Sequence, residues 1–198
     1  MQQIIAIHGA TTFANYDDYL NNLATKPLHI ERFSYKPMWK ELLQQQLGND
    51  YQVLLPSMPN KTNARYSEWK VWFDHFSELA ADDCILIGHS MGAIFLAKYL
   101  SQNKFPAHIK ATILIASPYS DESTEDLTDF KLDAITDLFT SQAGEAVIIN
   151  GDDDPVISTD DVQKYRDDLP SAKFMTISAP DHFMRVEFPE LISILKSL

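Results

Sequence analysis

The sequence has little cysteine and little positive charge, and it lacks a long apolar run. A single cysteine, Cys84, excludes an internal disulfide and fits a reducing compartment, so we expect a cytoplasmic protein. Lys and Arg number 16 against 28 Asp and Glu, a net charge of −12, which disfavours nucleic acids and anionic membrane surfaces as partners. No apolar run approaches the ~20 residues of a membrane span, and the N-terminus lacks the positive segment of a signal peptide.

The chain does contain a regular alternation of short apolar runs and amphipathic segments. No internal repeat or Pro/Gly/Ser-rich linker divides it, so we expect residues 1–198 to form a single domain. Six short runs rich in Ile, Val and Leu are typical of strands covered on both faces of a parallel sheet. They are Ile4–Ile7, Tyr51–Leu55, Cys84–Ile87, Ala111–Ala116, Ala146–Ile149 and Lys173–Ile177.

Segments with a period near 3.6 residues lie between these runs and predict helices. Apolar side chains share one helical face after Trp39, after Phe188, and after Trp69, where Trp72, Phe73, Phe76 and Leu79 follow. The segment Met91–Leu100 is apolar on nearly all sides, and Ser158 with Asp161 indicates a capping box. Strands alternating with helices predict an α/β fold, a three-layer, doubly wound and mostly parallel sheet. Ligands of such sheets bind beyond the carboxyl ends of the strands.

One sequence motif predicted at that edge is typical of catalytic sites. Gly88-His89-Ser90-Met91-Gly92 follows a predicted strand and opens the apolar helix, as in the G-x-S-x-G nucleophile elbow. The turn is sharp, so the positions two residues from Ser90 require glycine. Free N–H groups at the start of the helix favour a developing negative charge. The sequence therefore predicts Ser90 as a nucleophile.

A nucleophilic serine needs a base and an acid that orients it, and in this fold they follow the serine along the chain in the order acid, then histidine. His182 follows the last predicted strand and is the predicted base, whereas His108 precedes a strand at the opposite edge. The acid is expected in Gly151-Asp152-Asp153-Asp154-Pro155, where Pro155 favours Asp154 and Asp153 is the alternative. The same turn could instead be a solvated acidic loop or a weak cation site, but it lacks further ligands at spaced positions. We expect no metal and no cofactor.

Two backbone N–H groups are expected to stabilise the oxyanion of the reaction. The N–H of Met91 is one, and the loop after the first strand supplies the other, with Ala10 favoured over Thr11. We predict Thr11, Thr12, Tyr119 and Phe183 at the rim of the site as substrate-binding residues. Arg65 is read either as a ligand of a substrate carboxylate or as a structural ion pair. The stretch from Ser117 to Asp161 holds 13 acidic residues and one basic residue, and such a rim would repel anionic substrates.

These motifs resemble the α/β-hydrolase superfamily, and more narrowly the small lidless serine hydrolases that include the retinoblastoma-binding serine hydrolase and its bacterial relatives. The resemblance covers nearly the whole chain. Its motifs here are Met58-Pro59-Asn60 with Ala64-Arg65 and Trp69, the Ser90 elbow, Asp153-Asp154-Pro155, and His182-Phe183 followed by Glu187-Phe188 and Glu190-Leu191. It implies six strands, no cap domain, and Ser90, Asp154 and His182 as a catalytic triad. Asp181 stands where the family often has glycine, and the loop from His8 to Thr12 is less glycine-rich than in the animal relatives.

The predicted function is hydrolysis of a small ester, thioester or amide through an acyl-enzyme on Ser90. The alternative is a non-catalytic binding or interaction protein on the same fold. A dehydrogenase or flavoprotein would need a G-x-G-x-x-G loop after the first strand, which His8-Gly9-Ala10-Thr11-Thr12 does not match. A small-molecule acyl substrate is the expected partner, and the oligomeric state is left open.

Overall fold

Six parallel strands form one sheet in the computed structural model of the chain, which describes residues 1–120 and 126–198. The strands are β1 Gln2–Ile7, β2 Tyr51–Leu54, β3 Cys84–His89, β4 Ile109–Ile115, β5 Glu145–Gly151 and β6 Lys173–Ile177. The helices are α1 Tyr16–Thr25, α2 Trp39–Leu47, α3 Tyr66–Ser77, α4 Met91–Gln102, α5 Asp137–Gln142, α6 Thr159–Asp168 and α7 Pro189–Ser197. The spatial order β2-β1-β3-β4-β5-β6 confirms the predicted doubly wound sheet.

The apolar runs form strands because helices cover both faces of the sheet. Every residue of β3 is buried, and α4 packs on one face with most of its side chains buried. Trp69 and Phe73 of α3 belong to the same hydrophobic cluster as α4. The other face is covered by α2 and α7, through Trp39 and Leu191 among others. This layered burial supplies most of the stabilisation, since each large apolar side chain removed from water contributes about 1.5–3 kcal/mol.

The structure departs from the sequence prediction at the surface. Trp72 and Leu79 were expected on the buried face of α3, but they are 42% and 68% exposed. Leu79 lies beyond the end of the helix at Ser77. Helix α1 was not predicted, because none of its residues is buried and its start is marked only by the Asn15 cap. Among the described residues, no helix combines the length and hydropathy needed to cross a bilayer.

Candidate active site

The carboxyl edge of the sheet has a crevice between β1 and β3. The chain leaves β1 toward β2 on one side and returns to β3 on the other, so the connecting loops diverge at this point. The loop His8–Thr12 follows β1, and Ser90 follows β3 directly. Asp154 follows β5 and His182 follows β6, so all four strands end at the same edge. The parallel topology therefore collects residues that are up to 174 positions apart in the sequence.

Ser90 has an unusual backbone conformation at the sharp turn between β3 and α4. Its φ of 55° and ψ of −123° lie outside the regions that L-residues prefer, and its N–H donates to the Ile115 carbonyl at 2.8 Å. A Cβ at Gly88 would lie 2.4 Å from the Ala93 Cα, and a Cβ at Gly92 would lie 2.5 Å from the Ile7 carbonyl oxygen. Glycine is therefore required on both sides of Ser90 for strand β1, strand β3 and helix α4 to approach this closely.

His182 and Asp154 form a hydrogen-bonded pair beside Ser90. The Nδ1 of His182 lies 2.9 Å from each carboxylate oxygen of Asp154. The Asp154 side chain is fully buried, and its Oδ1 also accepts from the N–H groups of Val156 and Ile157 at 2.8 and 3.2 Å. Burial alone would raise the pKa of Asp154, but the hydrogen bonds from His182 and the two amides hold it below its usual value. The carboxylate is therefore charged and fixes His182 with Nδ1 protonated.

Two other carboxylates close to His182 in the sequence or the fold, those of Asp153 and Asp181, form their hydrogen bonds and ion pairs with other residues. Asp153 accepts hydrogen bonds from the Ser178 hydroxyl at 2.8 Å and from the Ala179 N–H, and it lies on the surface. Asp181 forms an ion pair with Arg185 at 2.7 Å. Of the acids considered from the sequence, Asp154 is thus the one that contacts the His182 ring.

Ser90 and His182 line one cavity of about 420 Å³. The Nε2 of His182 is buried and has no hydrogen-bond partner in the described parts of the chain. The Ser90 hydroxyl and this nitrogen therefore share the cavity without a hydrogen bond between them. The His182 side chain is 14% exposed, and both His182 and the following Phe183 have positive φ, 52° and 55°. The turn after β6 is consequently as constrained as the turn at Ser90.

Two other histidines line the cavity, and their hydrogen bonds fix both as neutral. His8 donates from Nδ1 to the Gly9 carbonyl at 2.8 Å and accepts the Met58 N–H on Nε2 at 2.9 Å. His89 donates from Nε2 to the His182 carbonyl at 3.0 Å and accepts from the Lys40 ammonium on Nδ1 at 3.2 Å. Burial lowers the pKa of both rings, and the charge of Lys40 adds to the effect at His89. Neither ring has a nitrogen left to act as a base.

The loop after β1 and the start of α4 offer backbone donors to the cavity. Met91 is the first residue of α4, where an N–H has no intrahelical acceptor. The N–H of Thr11 donates to the Lys61 carbonyl at 2.9 Å and is therefore occupied, whereas Ala10 lines the cavity beside Ser90. Gly9 lies close to Ser90, because a Cβ at this position would be 3.2 Å from the Ser90 Cβ. The loop therefore passes directly over the serine.

Of the four predicted rim residues, the structure brings only Thr11 to the cavity. Thr12 is buried and donates its hydroxyl to the Asp126 carbonyl. Tyr119 is buried and donates its hydroxyl to Asp168, and Phe183 is fully buried against Phe188. These three side chains point into the protein and not into the cavity, because loop position alone does not determine side-chain direction.

Arg65, Cys84 and His108 have contacts away from the cavity. Arg65 donates to the Phe13 carbonyl at 2.8 Å, which is neither of the two contacts considered for it. Cys84 begins β3 at the edge of the sheet opposite Ser90, and burial raises the pKa of its thiol to about 11. His108 is exposed and lies 2.6 Å from Asp83. Within residues 1–120 and 126–198, no three His, Cys, Asp or Glu side chains cluster as a metal site would require.

Sequence reasoning missed Lys40. It is the second residue of α2, its side chain is only 9% exposed, and it lines the Ser90 cavity together with Lys61. Met184 and Thr62 are further lining residues that were not singled out. No described residue of the acidic stretch 117–161 lines this cavity, and positions 121–125 of that stretch lie outside the described residues.

The strand order and the strained serine elbow define an α/β hydrolase, which confirms the resemblance inferred from the motifs. The model of a family described as Serine hydrolase matches residues 33–187, so the chain belongs to that family. Rat serine hydrolase RBBP9 is 29% identical over 152 residues, which cover 75% of this chain and 78% of that protein.

Solved structures with the same fold are more distant in sequence. The product of the Bacillus subtilis ydeN gene superposes with a TM-score of 0.73 at 16% identity, covering 100% of this chain and 98% of that chain. A thioesterase domain from the curacin biosynthetic pathway has a TM-score of 0.62 at 13% identity, covering 98% and 91%. At these identities the likeness concerns the fold alone.

Proposed function

We propose that the protein hydrolyses a small ester, thioester or amide through an acyl-enzyme on Ser90, with His182 as base and Asp154 as the acid that orients it. The observation that carries this proposal is the bidentate contact of His182 Nδ1 with the buried Asp154 carboxylate, at 2.9 Å to each oxygen. That contact leaves the Nε2 of His182 unpaired in the cavity that Ser90 lines. An unpaired acceptor that shares a cavity with a serine hydroxyl is what general-base activation requires.

The proposed reaction has two balanced steps. The Ser90 Oγ attacks the substrate carbonyl as its proton passes to His182 Nε2, and the imidazolium then protonates the leaving alcohol, thiol or amine. A water molecule then gives a proton to the same nitrogen and attacks the acyl-enzyme. The imidazolium returns that proton to the Ser90 oxygen as the bond to the acyl carbon breaks, which releases the acid and free Ser90. Asp154 stabilises the imidazolium in both steps without accepting its proton. Proton transfer needs the Ser90 oxygen within about 2.6–3.2 Å of Nε2, so substrate binding must bring the two atoms together.

We assign the oxyanion to the N–H groups of Met91 and Ala10. Support comes from the unpaired position of Met91 at the start of α4 and from the contact of the Gly9-Ala10 turn with Ser90. Thr11, the other donor considered, already donates to Lys61. Each oxyanion donor contributes roughly 10²–10³ to the rate of such reactions.

A second cavity of about 310 Å³ adjoins the first and suits an acyl chain. The two cavities share Thr11 and Thr62, and the second is lined mainly by apolar side chains. These include Phe13, Tyr19, Leu23, Leu28 and Phe33. We propose that it receives the acyl group of the substrate, so rates with a series of p-nitrophenyl esters should rise with chain length and then decline once the cavity is filled.

The decisive test is loss of activity with Ser90→Ala. We expect the hydrolysis of p-nitrophenyl butyrate to fall about 10⁴-fold or more, and a fluorophosphonate probe to label the wild-type protein but not the variant. Failure of the folded wild-type protein to react with the probe or with any ester would favour the alternative of a binding protein. Wild-type turnover by Ser90→Ala would place the chemistry on another residue.

A further inference from the structure

Lys40 has an unusual position for a lysine. Its side chain is 9% exposed, its ammonium lies 4.4 Å from the centre of the Trp39 ring, and it donates to His89 Nδ1 at 3.2 Å. In the described parts of the chain no carboxylate lies within 4.0 Å of it. The carboxylate of its neighbour Glu41 instead accepts from the Met38 N–H. Lys40 is therefore a buried cation held by an aromatic ring and a neutral histidine.

A buried cation without a counter-ion destabilises the folded protein, which makes its position informative. Burial lowers the pKa of Lys40 from 10.5 to about 8, so the side chain is still mainly charged at neutral pH. An ammonium group has three N–H donors, and the bond to His89 uses one of them. The remaining donors belong to a side chain that lines the Ser90 cavity.

The charge of the cavity is opposite to that of the protein. The chain carries a net charge of −12, yet its described cavity residues include Lys40 and Lys61 and no Asp or Glu. The Asp154 carboxylate does not line the cavity but contacts the Nδ1 side of the His182 ring, where hydrogen bonds stabilise its charge. Charges on the distant surface are screened over about 8 Å at physiological salt, so the two lysines are the charges that a ligand would contact directly in the cavity.

We propose that Lys40 binds a carboxylate of the substrate, so that the hydrolase prefers esters, thioesters or amides that carry a negative charge close to the scissile carbonyl. This inference rests on the proposed function and narrows its substrate class. Lys40 is a specificity-determining residue in this view, and Lys61, at the exposed side of the cavity, adds a second positive charge. The carboxylate could belong to the acyl group or to the leaving group, and the same ammonium would recognise either.

The test compares matched neutral and anionic substrates. For the acyl side, kcat/KM is measured for p-nitrophenyl butyrate and for p-nitrophenyl hydrogen succinate. For the leaving-group side, it is measured for phenyl butyrate and for the butyrate ester of 4-hydroxybenzoate. The quantity compared between variants is the anionic-to-neutral ratio of kcat/KM, because a general loss of activity cancels in this ratio.

We expect Lys40→Met to lower that ratio roughly 10- to 100-fold for at least one pair, the range that a charge-assisted hydrogen bond supports. Lys40→Arg should retain most of the preference, since it keeps the charge. Lys104→Met removes an exposed lysine at the opposite edge of the sheet and is the charge-matched control, with the wild-type ratio expected.

The outcomes separate this inference from the proposed function. If Ser90→Ala abolishes turnover but Lys40→Met changes neutral and anionic esters equally, Lys40 acts only through His89 and the inference is wrong. An equal fall in the ratio with Lys104→Met would show that overall charge, and not the cavity, attracts the anion. If the esters are hydrolysed independently of Ser90, the proposed function itself fails.

Discussion

Asp154→Asn is the substitution that tests the site most directly, because it changes one atom and keeps the shape. The Asp154 Oδ1 accepts from the Val156 and Ile157 N–H groups at 2.8 and 3.2 Å, so the amide oxygen of asparagine is expected to keep this position. The amide nitrogen then replaces Oδ2, which lies 2.9 Å from His182 Nδ1. A donor at this position disfavours a proton on Nδ1, although the retained Oδ1 also lies 2.9 Å from Nδ1, so the tautomer with its proton on Nε2 is favoured. That tautomer cannot accept the Ser90 proton.

The expected effect on activity is large. An inverted tautomer at the base lowers kcat by about 10⁴-fold in the chymotrypsin-type triad, and we expect a loss of 10³- to 10⁴-fold here. The assay is steady-state hydrolysis of p-nitrophenyl butyrate, with thermal unfolding recorded for every variant to exclude a folding defect. Loss of a charged acceptor for the His182 ring should lower stability as well, by roughly 1–3 kcal/mol.

Asp153→Asn is the matched control for this prediction. The Asp153 carboxylate accepts from the Ala179 N–H on Oδ1 and from the Ser178 hydroxyl on Oδ2. An asparagine oxygen can keep the bond from Ala179, and its amide nitrogen can donate to the Ser178 hydroxyl instead. We expect activity within about threefold of wild type, because neither partner touches the reacting groups. The reasoning is refuted if Asp154→Asn retains more than a tenth of the activity, or if Asp153→Asn loses as much as Asp154→Asn does.

Three further predictions follow from the same contacts. Gly92→Ala would place a Cβ 2.5 Å from the Ile7 carbonyl oxygen and 2.6 Å from that of His8. Denaturant unfolding should therefore show that the free energy of unfolding falls by about 3 kcal/mol or more. An unchanged unfolding midpoint would contradict the packing described. The anionic-to-neutral preference of the wild-type enzyme should decline as pH rises through about 8, where Lys40 loses its proton, and a preference that is constant up to pH 10 would argue against Lys40 as its source. The unfolded chain binds the Lys40 proton up to a higher pH than the folded chain does, because burial lowers the pKa of Lys40 to about 8. In urea titrations, the free energy of unfolding of the wild type should therefore rise relative to that of Lys40→Met between pH 8 and 10.5, by up to roughly 3 kcal/mol. A relative fall over this range would contradict the direction assigned to the pKa shift.

The sequence predicted the sheet and the serine turn well, because each has a physical signature that is local. A strand buried on both faces must be apolar throughout, as Ile4–Ile7 is, and a turn as tight as the one at Ser90 excludes any Cβ at Gly88 and Gly92. The choice between Asp153 and Asp154 was less secure. The two are adjacent in an irregular turn, and their directions depend on hydrogen bonds to Ser178 and Val156 that no local pattern reveals.

Lys40 shows why the rest of the site could not be predicted. In the sequence it follows Trp39 at the start of an amphipathic helix, where a lysine is ordinarily solvated. Its burial arises because the start of α2 packs beneath the turn after β6, and that contact joins positions 144 apart in the chain. The positive φ at His182 and Phe183 is likewise set by tertiary packing, and it turns the Phe183 ring into the core where a rim position was expected.

The turn that carries His182 is held in place by hydrogen bonds to its backbone carbonyl groups. The Trp39 indole donates to the Phe183 carbonyl at 3.0 Å, the Trp39 N–H donates to the Arg185 carbonyl at 3.0 Å, and His89 donates to the carbonyl of His182 itself. Met184, half-exposed at the mouth of the cavity, stands between these anchors, and its side chain takes no part in them. Its identity is therefore free to diverge during evolution or in a saturation library, which would reshape the entrance for new substrates while the imidazole keeps its place.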